Sequence, residues 1–184
     1  MKHFLNRRNK AVIGVAAALA LTAGIGMAAY GQWSSQGAQV LATSAPGTVA
    51  YSSGNVTLDA SNASQGYFSV KYSGSNSKIK IQITKASGAT YTYDVNARDV
   101  YEVFPVSEGN GTYKIQVFEN LQGTTYVQVF SKEVPVTLDN EFLPFLYPNQ
   151  YVNFSKDSKV TAKAKELAAG CADEMAVVTN VYNY

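Results

Sequence analysis

The stretch Lys78-Ile79-Lys80-Ile81-Gln82-Ile83-Thr84-Lys85 alternates polar and apolar residues without a break. A period of two puts Ile79, Ile81 and Ile83 on one face and their neighbours on the other, which predicts a half-buried β-strand. Isoleucine suits that role because its branched Cβ packs well on a pleated surface. Working outward, the same rhythm puts Phe68, Val70 and Tyr72 on one face of Gly66 to Tyr72. It also puts Tyr113, Ile115 and Val117 on one face of Gly111 to Phe118, and Tyr91, Tyr93 and Val95 keep to it. Val100 to Val106 is shorter and carries Pro105, which cannot donate to a ladder and so marks an edge or a strand end. Thr124 to Val136 is long enough for one bulged strand or two short ones.

About seven strands therefore fall within residues 47–138, separated by Gly, Asn and Ser clusters with no helical pattern between them. The expected fold is mainly β, an antiparallel sandwich in preference to a barrel. Glu108-Gly109-Asn110-Gly111-Thr112-Tyr113 sharpens this, because a turn directly before a tyrosine that opens a late strand resembles the tyrosine corner of immunoglobulin-like and fibronectin-like sandwiches. On that reading Tyr113 is structural, its hydroxyl bonding backbone near the corner.

Residues 139–154 break the alternation with Phe142, Leu143, Pro144, Phe145, Leu146, Tyr147, Pro148 and Tyr151. A disordered connector is poor in aromatics, so this linker is expected to pack against the sandwich or against the residues C-terminal to it. Residues 155–184 read as two short helices. The first is capped by Ser155 or Asp157 and runs through Val160, Ala164 and Leu167 to a stop at Gly170. The second has Asp173 and Glu174 in its first turn, favourable for the helix dipole, and Met175, Val178 and Tyr182 on one stripe.

At the other end, Lys2, Arg7, Arg8 and Lys10 precede an uncharged run from Ala11 to Ala29, a charged region before an apolar one. Residues 1–29 are thus expected to be a signal peptide, cleaved near Gly26, Ala28 and Ala29, or an uncleaved membrane anchor. The expected location is extracellular or at the cell surface. Residues 30–46 read as a flexible tether, with Trp33 a junction residue beside the apolar run.

Four of the 15 bases and none of the 13 acids lie in residues 1–29, so the remainder carries a net charge of −2. With no basic cluster there is no electrostatic footprint for nucleic acid. Cys171 is the one cysteine, so no intramolecular disulfide can form. The one histidine is His3, inside the apolar-leader segment, which leaves no imidazole to activate a thiol or hydroxyl. No catalytic, cofactor-binding or metal-ligating residue is assigned.

Four groups are candidates for a site. Cys171 lies near a helix start where N–H groups lower a thiol pKa, but without a base it reads as a small helix-junction residue. Asp94, Asn96, Asp99 and Glu102 offer oxygen ligands, yet Arg98 stands where an EF-hand loop needs a ligand, so they read as a polar turn. Tyr67, Tyr91, Tyr93, Tyr101 and Tyr126 are either a sugar-stacking platform or cross-strand pairs, the second being favoured. Asn55, Asn62, Asn110 and Asn153 stand in Asn-x-Ser/Thr sequons and read as turn residues.

Phe142-Leu143-Pro144-Phe145-Leu146-Tyr147-Pro148-Asn149-Gln150-Tyr151, Val178-Thr179-Asn180-Val181-Tyr182-Asn183-Tyr184 and Tyr113-Lys114-Ile115-Gln116-Val117-Phe118-Glu119-Asn120 together resemble secreted bacterial transglutaminase-like proteins. In these a β-rich region precedes a papain-like domain. The resemblance spans much of residues 64–184. It implies a nucleophilic Cys, a His and an Asp beyond the last helix, and none of these can be matched here. Cys171 lies before that helix and does not match the nucleophile position. The expected function is an exported accessory region, non-catalytic in this form and truncated or shortened before the catalytic residues, which positions or supports a thiol-dependent domain. The alternative is a stand-alone adhesion or carbohydrate-binding module. The expected partners are a cell-wall, protein or carbohydrate ligand, with membrane contact only through residues 11–29 if uncleaved.

Overall fold

A computed structural model describes residues 40–184 of the chain. The leader, the cleavage positions and Trp33 lie outside the described residues. Two compact units emerge, one comprising Leu41–Ser155 and the other including the helices of Lys156–Tyr184.

The first unit is an antiparallel β-sandwich. Its strands are β1 (Ala50–Ser53), β2 (Val56–Asp59), β3 (Tyr67–Tyr72), β4 (Ile79–Lys85), β5 (Thr90–Asp94), β6 (Tyr101–Pro105), β7 (Gly111–Gln122) and β8 (Thr125–Val136). One sheet has the order β1-β2-β3-β6 and the other β5-β4-β7-β8. Setting β1 aside, the remaining seven strands divide three and four, as in a fibronectin-like sandwich. The β1–β2 hairpin adds an outer strand to the smaller sheet.

The expected faces hold. Ile79, Ile81 and Ile83 point into the core from β4, opposite Phe68, Val70 and Tyr72 of β3, and all six are buried. Tyr113, Ile115 and Val117 of β7 join them, with Leu58, Phe104, Phe130, Val134 and Val136. On the outer side of the larger sheet, Lys80 pairs with Asp94, Gln82 with Thr92 and Thr84 with Thr90, so the polar half of the alternation forms its own cross-strand ladder. Tyr91 departs from this pattern. It is on the outermost strand, half-exposed, with its hydroxyl on the Glu108 carboxylate.

Residues 125–136 form one bulged strand. Val117 pairs with Phe130 while Phe118 pairs with Gln128, which leaves Val129 as the extra residue. Pro105 is the last residue of β6, and β6 is the edge strand of its sheet. At the turn between β6 and β7 the Tyr113 hydroxyl donates to the carbonyl of Gly109 at 2.6 Å, the tyrosine corner.

In the second unit, α1 spans Lys159–Ala168 and α2 spans Glu174–Tyr182. Ser158, rather than Ser155 or Asp157, caps α1, its hydroxyl accepting the N–H of Thr161. Asp173 caps α2 by accepting the N–H of Ala176 at 2.8 Å. The apolar stripe of α2 is open, with Met175 68% and Tyr182 88% exposed. Among the described residues no helix is long and apolar enough to cross a membrane.

Candidate functional site

A sandwich has two seams where its sheets meet at their edges, and the two seams here differ. At one, β5 lies beside β6 of the other sheet, the Tyr93 and Phe104 rings meeting at 5.0 Å. The aromatic segment after β8 runs along it. Pro144 sits on Gly66, whose missing side chain leaves it room; a Cβ there would lie 2.6 Å from the proline ring. Tyr147 packs its ring 4.9 Å from that of Tyr67 and donates to Gln65 at 3.0 Å. The N–H of Gln150 then donates to the carbonyl of Val103 on the open edge of β6, and Tyr151 stacks 5.6 Å from Tyr93. Residues 144–151 are thus a strap that bonds one carbonyl of the edge and packs along its apolar rim.

Glu102 is the hinge pin of that seam. One carboxylate oxygen accepts the N–H groups of Asn96 and Ala97 at 2.6 and 2.8 Å, and the other accepts the Gln150 amide at 2.6 Å. The same amide bonds the carbonyl of Asp94. Of the candidate oxygen cluster, Asp94 turns its carboxylate to Lys80, and Asp99 occupies a left-handed position with φ 58°. Glu102 is consumed by backbone and by the strap. The cluster is therefore a loop tied to a strap, and among the described residues no three acidic, His or Cys side chains group as metal ligands.

Of the five tyrosines only Tyr91 and Tyr93, two residues apart on one side of β5, are neighbours. Tyr67 is buried under Tyr147, Tyr93 is buried against Phe104, and Tyr101 lies beside Lys71 on the smaller sheet. Tyr126 sits under Lys80 on the outer face of the larger sheet. Apart from the Tyr91–Tyr93 pair they lie on different surfaces, and the five make no common stacking plane. Burial, then the neighbouring Tyr151 and Tyr91, push the Tyr93 hydroxyl above its ordinary pKa.

Cys171 lies between the helices, its thiol donating to the Leu167 carbonyl at 3.4 Å and receiving the Asn180 amide at 3.3 Å. An amide and a carbonyl hold a thiol in place; neither takes its proton. Of the sequon asparagines, Asn62 donates to the Ser44 carbonyl and Asn110 accepts the N–H of Leu138, both structural ties. Asn55 is exposed in the β1–β2 turn and Asn153 is exposed after the strap.

Among the described residues no segment covers the second seam. There β1 faces β8, and a groove of about 560 Å³ runs between them, lined by Ala50–Ser53 on one side and residues 128–132 on the other. The bulge at Val129 lies in its wall. Lys132 shares the inward side of β8 with Phe130 and Val134, opposite Ile115, and its ammonium rests 4.1 Å from the centre of the Tyr51 ring. Nothing in the alternation of β8 marks this groove; it arises from which strands end each sheet, a matter of topology.

No family model matches the chain, and no curated protein matches it.

Proposed function

We propose that this chain is the exported, non-catalytic accessory part of a transglutaminase-like protein, a rigid module that positions or supports a thiol-dependent domain. The strap carries the reading. A module that orients a neighbour must fix the point at which its chain departs, and anchors at Pro144, Tyr147, Gln150 and Tyr151 hold the sandwich's trailing segment to within a few residues of Ser155. Cys171, held by an amide and a carbonyl, suits a structural place in the helical unit. Export rests on the charged and apolar pattern of residues 1–29. The glycan-binding alternative loses support because its tyrosines, the Tyr91–Tyr93 pair apart, lie on separate surfaces.

The nucleotide sequence following the Tyr184 codon tests the proposal. An open frame encoding a Cys, a His and an Asp in a papain-like context is the expected outcome. A stop codon there, together with activity-independent adhesion of the chain to cell-wall material, would replace it with the stand-alone module.

A further inference from the structure

We propose that the open seam between β1 and β8 is a strand-acceptor site for an extended peptide segment that carries a carboxylate. The seam sets two edge strands side by side, and an edge strand presents N–H and C=O groups along its free side. Four residues of β1 line it, a track of roughly 13 Å at about 3.3 Å per residue. The opposite seam illustrates how this sandwich accepts polypeptide: Gln150 gives a backbone N–H to the β6 edge, and Tyr151 covers the apolar rim. At the β1/β8 seam no described segment plays that part.

Charge selects the occupant. Lys132 is the one charged residue lining the groove, it is half-buried, and it makes no ion pair among the described residues. An inward-pointing lysine on an edge repels apolar or basic strands, which guards against copies of the chain adding edge to edge. A strand with an acidic residue at that position supplies what the Tyr51 ring supplies only in part, a full counter-charge. The chain's own leader does not fit this requirement, because no Asp or Glu precedes Asp59. The site is independent of whether the module serves a transglutaminase-like domain.

The test uses the full chain and three synthetic, terminally blocked nine-residue peptides of alternating threonine and valine, with a central glutamate, glutamine or lysine. The expected result is binding of the glutamate peptide with amide shift changes confined to Ala50–Ser53 and residues 128–132. The glutamine peptide should bind about fivefold more weakly, the upper range for a partly exposed ion pair. Lys132→Gln should abolish that difference, and Lys132→Glu should reverse it towards a lysine-centred peptide. Equal binding of the glutamate and glutamine peptides to the unsubstituted chain, shift changes elsewhere, or no binding would overturn the proposal. So would self-association of Lys132→Gln without any peptide preference in the unsubstituted chain, which would make Lys132 an edge guard only.

Discussion

The hydroxyl of Tyr72 donates to the carboxylate of Glu119 at 2.7 Å, a side-chain bond from β3 of one sheet to β7 of the other. Tyr72 is buried and Glu119 half-buried, so the bond is partly shielded from water. Tyr72→Phe should cost about 1–2 kcal/mol, because Glu119 loses a donor that solvent replaces incompletely. Glu119→Gln keeps an acceptor and should cost less. Urea unfolding of both variants checks the order.

Alkaline stability rests on the same chemistry. Burial, then the bond and charge of Glu119, raise Tyr72 above the ordinary tyrosine pKa of 10.0, and burial followed by the charge of Glu108 pushes Tyr113 up to about 12. The folded chain therefore holds protons that the unfolded chain has released, so stability falls as pH rises from about 10 to about 12. Below pH 10 the contribution is complete. Tyr113→Phe should lower stability at neutral pH by about 0.5–1.5 kcal/mol, through loss of the bond to Gly109, and should flatten the alkaline decline. Thermal unfolding from pH 7 to 12 measures both effects.

Gly66 and Gly109 make a matched pair. Both have positive φ, 89° and 75°, which an alanine adopts only with strain of about 1–2 kcal/mol. Beyond Gly109 the space is open, whereas a Cβ at Gly66 runs into Pro144. Gly66→Ala should therefore cost about 2–4 kcal/mol, with the added part coming from a displaced strap. Hydrogen exchange at Gln150 should quicken in Gly66→Ala and stay unchanged in Gly109→Ala.

Ile81 and Lys80 test the register. Ile81→Ala should cost about 2–5 kcal/mol because the side chain is wholly buried. Lys80→Ala removes a solvent-accessible ion pair with Asp94 and a distant contact with the Tyr126 ring, and should cost less than about 1 kcal/mol. Denaturant midpoints that fall equally would place the strand one residue out of register.

The central strands are legible in the sequence because each carries its core face in its own residues: Ile79, Ile81 and Ile83 need no partner to be recognised. Tyr113 is legible because a turn and a tyrosine lie together in the chain. The strand Ala50–Ser53 is not. Its Ser52 and Ser53 are exposed and show no alternation, and it is a strand only because β2 offers a ladder. The seams are equally hidden. Glu102 meets Gln150 across 48 residues and Lys132 meets Tyr51 across the two sheets, pairings set by topology that leave no local signal. Tyr67 and Tyr93 read as surface candidates because the strap that buries one and stacks on the other comes some 55 to 80 residues later.

The strap also decides how the sandwich meets mechanical load. Tension applied from the Ser155 side reaches Tyr151 and Gln150 first, then Tyr147, then Pro144, and only afterwards the long β7–β8 ladder. Contacts arranged in series along a chain yield one at a time, whereas ladder bonds loaded side by side must break together. The strap would peel at low force and lengthen the chain while the core stayed shut.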